Sequence, residues 1–238
     1  MHTKKTLASG LLVMLSAAVL AAPVAHAGSG AEVSASVGVA NMYLWRGIDL
    51  GDGDAAVSGD LKIGHDSGAY AGVWGSSGDA SWGTEYDLYA GWGGKVGNLD
   101  VDASLWTYAY PDGDKVDADG KSTKKDPGEL VDAVISVGSG PVNVTLYEAL
   151  EGDDANEYRY VTAKYTKDKY SAMYGQHMYD KGISPGHIQL GYQYNDNLSF
   201  AVSQFVTDAD TGEVFPATGK PVDDNPQFLV SYSIPLTK

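Results

Sequence analysis

The stretch WGTEYDLYAGWGG, residues 82–94, alternates in character at every step. Trp82, Thr84, Tyr86, Leu88, Ala90 and Trp92 form one set; Gly83, Glu85, Asp87, Tyr89, Gly91 and Gly93 form the other. Period-two alternation is the signature of a strand whose two faces meet different surroundings. One face is apolar with Trp at both ends, and the other carries two carboxylates. The apolar face requires either a protein core or lipid.

The same rhythm recurs along the chain. Val33, Ala35, Val37 and Val39 oppose Glu32, Ser34 and Ser36; Val57, Leu61 and Ile63 oppose Ser58, Asp60 and Lys62. Leu99, Val101, Ala103 and Leu105 oppose Asp100, Asp102 and Ser104, and comparable sets follow to Phe228, Val230, Tyr232 and Ile234 near the end. The pattern predicts about twelve strands, near 32–46, 55–65, 68–76, 82–92, 98–110, 129–138, 142–149, 157–165, 170–178, 187–194, 198–206 and 226–234. The polarity of 69–76 is open, 170–179 is aromatic on both sides, and 157–165 sets Glu157 and Arg159 against Tyr158, Tyr160 and Thr162. Helical periodicity is absent.

Connections choose the surroundings. Long, acidic or Gly-rich loops follow the odd strands, above all 47–54, 111–128 and 207–225, while short turns such as Asp66-Ser67, Ser139-Gly140-Pro141 and Asn195-Asp196-Asn197 follow the even ones. Outer-membrane barrels share this asymmetry and an even strand number; a β-sandwich accounts for the alternation but has no reason to keep that order. The apolar parity is therefore expected to face lipid, with Trp82 and Trp92 in the two interfacial belts, and Glu85 and Asp87 to face a wet lumen. The fold expected is all-β: an antiparallel up-and-down transmembrane β-barrel.

Composition agrees. Residues 1–27 have a basic start, an apolar run over Leu7–Ala22 and a small-x-small sequence at Ala25-His26-Ala27, which reads as a cleaved secretory signal and leaves 28–238 as the barrel. Those 27 residues hold two of the 16 basic residues and none of the 31 acidic ones, so the remainder carries 14 − 31 = −17. Such a charge excludes nucleic-acid binding through a basic face. No cysteine is present, so no disulfide braces the fold.

Residues 41–110 carry a set of short motifs: Tyr43-x-Trp45-Arg46-Gly47, Ser67-Gly68-x-Tyr70-x-Gly72-x-Trp74, Glu85-x-Asp87-x-Tyr89-x-Gly91 and Tyr108-x-Tyr110-Pro111. Together they resemble the TorF-family porins, exported bacterial proteins also described as a conserved hypothetical family. The motifs cover about a third of the chain. The resemblance implies a barrel in the Gram-negative outer membrane and a pore. It implies no particular solute.

Lumen parity places Asp60, Lys62, Glu85, Asp87, Asp100 and Asp102 on the predicted pore lining. Arg46 shares the polar parity of Glu32 in the first strand. It is expected either to face the carboxylates across a constriction or to form a structural ion pair. Arg159 joins Lys62 as partial balance. His65 and Ser67, two apart in GHDSG, are the nearest approach to a catalytic pair, but they fall on a tight turn with no third orienting group. The acidic stretches 111–121 and 208–213 lack calcium-loop spacing, and His177 and His187 are isolated. No catalytic, metal or cofactor residue is assigned. The expected function is passive diffusion of small polar solutes or ions, with a mild cation preference and outer-membrane lipid as the surrounding partner. The alternative is an exported, non-enzymatic β-rich protein that binds glycan or lipid.

Overall fold

Thirteen strands of this computed structural model join one antiparallel sheet, and twelve of them close on themselves. It describes residues 25–27, 30–112, 124–152, 155–207, 213–216 and 218–236. The barrel strands are β1 (Ala31–Ala40), β2 (Ala56–His65), β3 (Ala69–Asp79), β4 (Gly83–Val96), β5 (Leu99–Ala109) and β6 (Val131–Ser139). They continue as β7 (Val142–Glu151), β8 (Tyr158–Lys167), β9 (Tyr170–Tyr179), β10 (Gly186–Gln193), β11 (Leu198–Thr207) and β12 (Gln227–Pro235). Each pairs with its neighbours in sequence, and β12 returns to β1 through Ser231↔Ala40 to Pro235↔Ser36. The described residues hold no helix. Of the expected signal segment only Ala25–Ala27 is described, as a short strand paired with Ala31–Val33. Much of the acidic stretches 111–121 and 208–213 lies outside the described residues.

Side chains on successive residues meet opposite conditions. Large apolar residues stand exposed on the exterior of every strand, for example Val39, Leu61, Val73, Leu88, Leu105 and Ile135, then Val144, Tyr165, Tyr174, Leu190, Phe200 and Val230. An apolar band around a whole barrel far exceeds the few hundred Å² that a soluble monomer leaves bare. Polar and aromatic residues fill the interior: Glu85, Asp87, Tyr89, Asp102, Ser104 and Trp106 are buried there on β4 and β5.

Three expectations need correction. The first strand ends at Ala40, not at 46, because Asn41 leaves the ladder with β2 and holds β12 through its side chain as well as its backbone N–H, which donates to Val230 O at 3.2 Å. Its side-chain amide donates to Phe228 O (2.9 Å), and its Oδ1 accepts from Val230 N (2.7 Å). Trp82 is not in a belt: it precedes β4, whose first residue, Gly83, turns the chain at φ 94°, and the indole packs edge-on against Tyr110 at 4.8 Å. Arg159 stands on the exterior, paired with Glu148 at 2.5 Å, while Tyr158 and Tyr160 point inward. The interior at that height is occupied by the segment that leaves β1, which is where the tyrosine rings find their partner.

Candidate functional site

Residues 41–55 turn back into the barrel and form a plug. Trp45 pairs with Ile48 in a two-residue hairpin whose central residues, Arg46 and Gly47, have φ of 50° and 87°. Two positive φ angles in succession make the tight turn that suits a hairpin's twist. Arg46 is an unusual residue for the first position, since the left-handed region costs a non-glycine residue about 1–2 kcal/mol. Gly47 is required on two counts: its φ, and the His187 ring, which would lie 2.9 Å from any Cβ. Leu44, Ile48 and Leu50 are buried.

Arg46 explains why the strain persists. Its Nη2 donates to Asp132 Oδ2 at 2.6 Å, and both side chains are about nine-tenths buried. The guanidinium lies 4.4 Å from the Trp45 ring centre and 4.7, 5.4 and 5.3 Å from those of Tyr147, Tyr158 and Tyr160. Desolvated cation–π contacts of this sort reach about 2 kcal/mol. The ring nitrogen Nε2 of His177 donates to the Arg46 carbonyl at 2.8 Å, and Tyr158 sits 3.0 Å from the other nitrogen. His187 bridges Tyr160 (2.7 Å) and Ser203 (3.0 Å). The two histidines are thus joined in one buried network.

The described residues before β12, 213–216 and 218–226, complete the closure. Phe215 is fully buried against His177 and Phe205, and Lys220 Nζ reaches Asp52 of the plug at 2.5 Å. Asp223 accepts from the Asn225 backbone N–H at 3.0 Å, from the Asn225 side chain at 2.6 Å and from Gln227 at 2.7 Å. The backbone bond foremost, then those from the side chains, hold its carboxyl below the ordinary range.

The predicted lining residues other than Arg46 lie on the interior parity of their strands, and most of their carboxylates are held by tyrosine. Tyr43 O–H donates to Glu85 at 2.5 Å, Tyr89 to Asp60 at 2.8 Å, Tyr70 to Asp102 at 2.8 Å, and Tyr108 to Asp132 at 3.0 Å. Lys62 places its ammonium 3.9 Å from the Tyr70 ring centre, and Asp100 pairs with the exposed Lys95 at 2.5 Å. Asp87 differs: it is fully buried and neither carboxylate oxygen has a hydrogen-bond partner. Arg46 is not on the first strand facing Glu85, Asp87, Asp100 and Asp102. It reaches the lumen from the hairpin and takes Asp132, which sequence reasoning left out. The signal for Asp132 was available, because it alternates with Val131 and Ala133; the partner that gives it a role was not.

His65 Nδ1 and Ser67 Oγ are 2.8 Å apart, closer than a turn position suggested. The Ser67 backbone N–H donates to the same nitrogen at 3.1 Å, and Gly68 N–H closes the turn on His65 O at 2.8 Å. The pair therefore belongs to the β2–β3 turn. No group of three or more His, Cys, Asp or Glu residues able to hold a metal ion occurs among the described residues.

A family model described as "Bacterial protein of unknown function (Gcw_chp)" matches residues 24–212. No curated protein matches the chain. Among solved structures, the KdgM porin is similar at 8% identity and TM-score 0.43, covering 84% of this chain and 97% of the other. Outer membrane phospholipase A from Escherichia coli is similar at 10% and 0.45, covering 84% and 91%. The COG4313 outer membrane channel from Pseudomonas putida F1 is similar at 13% and 0.42, covering 89% and 97%. These likenesses assign no activity to the chain.

Proposed function

We propose that this chain, which belongs to the Gcw_chp family of bacterial proteins of unknown function, is an outer-membrane channel of the TorF-porin kind, exported through a cleaved signal at 1–27. It passes small polar solutes or ions without enzymatic chemistry. The observation that carries this reading is the exterior: every barrel strand presents large apolar side chains to its surroundings while the interior gathers the carboxylates, hydroxyls and aromatic rings. Only a lipid environment satisfies both faces at once.

In this reading Asp60, Lys62, Asp100 and Asp102 line the part of the path below the plug, and Arg46, Glu85 and Asp87 belong to its closed part. The carboxylates outnumber the cations, and Arg46 is neutralised by Asp132. A confined acidic wall raises the local concentration of cations, an effect that salt screens. The long loops after odd strands face the cell exterior.

The test is the reversal potential across a salt gradient in planar bilayers. A cation preference that fades at high salt is expected, and it should shrink when Asp60, Asp100 and Asp102 are neutralised to Asn. Anion selectivity would overturn the lining. Absence of conductance from a barrel that fractionates with the outer membrane and shifts its gel mobility on heating would favour the binding-protein alternative. The plug is the observation on that side, since it fills the upper lumen with aromatic residues.

A further inference from the structure

The interior is not filled evenly. Around β3 to β9 it is occupied by Trp74, Tyr89, Trp106, Tyr147, Tyr158 and Tyr160. Along β12, β1 and β2 the larger interior residues are Leu229, Glu32, Asp60 and Lys62, and Ser, Gly and Ala occupy the positions between them. The pairing register stacks them in rows across these strands. Ser231 lies beside Ala40 and Ala56; Ser233 beside Gly38, Ser58 and Ser76; Ser36 beside Asp60; Ser34 beside Lys62; and Glu32 beside Gly64. Each row is one step further from the plug, so hydroxyl groups descend one wall from Ser231 as far as Ser34, and Glu32 follows at the end of the barrel where the short turns lie.

A cavity lies in this wall, against the plug: Ser36, Ser58, Ser76, Ser231, Ser233 and Asp60 supply its polar lining, and Ala40, Met42, Tyr43, Ala56 and Trp74 the apolar part. It offers about 20 Å³ to the centres of water molecules, room for roughly one or two of them. Ser231 is 5% exposed, and its hydroxyl, at this cavity, has no hydrogen-bond partner. A buried orphan hydroxyl costs about 1–3 kcal/mol, and a guest that bonds it removes that cost.

We propose that a small monovalent cation crosses the barrel along this seam and binds in the cavity on its way. The proposal rests on the channel reading and names its route. The chemistry selects the guest. The cavity's hydroxyls are hard oxygen donors, which replace the hydration shell of an ion too confined to keep it. Asp60 supplies one negative charge and is fixed by Tyr89 O–H at 2.8 Å. One carboxylate suits one positive charge, whereas divalent ions draw on several carboxylates or retain their waters. An anion meets Asp60 and finds no cationic side chain in the lining; Lys62, one row below, sits over the Tyr70 ring.

The natural chain has no cysteine, which permits a direct test with Ag⁺, a thiol-reactive monovalent ion, in nitrate medium. Ser231→Cys and Ser58→Cys place thiols in the seam. Ser136→Cys places one on the opposite wall, where Ser136 is buried and bonded to Thr145 and Asn143. Correct folding of each variant is read by its heat-dependent gel mobility. In bilayers, Ag⁺ should abolish most of the current through the two seam variants and leave Ser136→Cys and the parent untouched. Current blocked in Ser136→Cys alone, or in none of the variants while the parent conducts, overturns the seam. In detergent, Ag⁺ should protect the seam thiols, and not Cys at 136, from a maleimide added after unfolding. If the parent passes no current the channel reading fails, and this protection pattern still decides whether a monovalent ion enters the seam.

Discussion

The two walls of this barrel are built on different principles. From β3 to β9 the interior is a packed network in which tyrosines hold carboxylates and cage Arg46. From β11 through β12 to β2 it is richer in Ser, Gly and Ala, with Phe205 and Leu229 at the plug end and Asp60 and Lys62 further down. Tyr89 is stacked on Trp106 at 4.2 Å and donates to Asp60; the Ser233 hydroxyl makes a 3.3 Å bond to the Val37 carbonyl. The contrast teaches where the barrel is rigid. One wall is over-determined by ring packing and ion pairing, and the other has, beyond its β-ladder, only the small cluster of Ala40, Met42, Leu44 and Leu229 at the plug, which leaves room inside.

The largest effect that would sharpen this contrast comes from the Arg46 cage. Asp132→Ala leaves a buried guanidinium without its counter-charge, and breaking a buried pair in this way costs about 3–5 kcal/mol. Urea titration followed by heat-dependent gel mobility should show that loss; a variant as stable as the parent would mean that the ring contacts alone hold the plug.

Tyr89→Phe should come next. It removes a hydrogen bond to a carboxylate, worth about 1.5–3 kcal/mol, and frees Asp60 at the boundary between the walls. The same titration reads it, and an unchanged midpoint would show that Asp60 takes another donor without cost.

The paired glycines give a smaller difference. A Cβ at Gly72 would overlap the Tyr89 ring and lie 2.7 Å from the Leu61 carbonyl, so Gly72→Ala should cost about 1–3 kcal/mol through overpacking. At Gly38 the nearest atom is Ser58 Oγ at 3.2 Å, and Gly38→Ala should cost less. Equal losses would break the comparison. Smallest of all, Ser233→Ala should stay within about 0.5 kcal/mol.

Much of the fold is legible because alternation is a local consequence of two solvents. Leu88 and Glu85 differ in what they can tolerate wherever the chain goes, so their opposite faces follow from spacing alone. Tyr70, Gly72 and Trp74 were ambiguous for the converse reason: aromatic and Gly residues suit either face, and only the ring of Tyr89 over Gly72 settles which side is inside. The plug was hidden by continuity. Tyr43 to Arg46 extends the rhythm of β1, and nothing local says that Asn41 will cap β12 and release the chain inward.

The sequence by itself determined the number of strands, the apolar exterior, the long-short order of connections and the inward parity of Asp60, Lys62, Glu85, Asp87, Asp100 and Asp102. Closure of the barrel decided the rest. It brought Arg46 to Asp132, 86 residues away, sent Arg159 outward to Glu148, and left a hydroxyl-lined gap on one wall. The physical reason is that an exterior side chain answers to its surroundings, which any strand can sense. A lumen-facing side chain answers to whichever other side chains fill a finite space, and that is fixed only when all twelve strands have met.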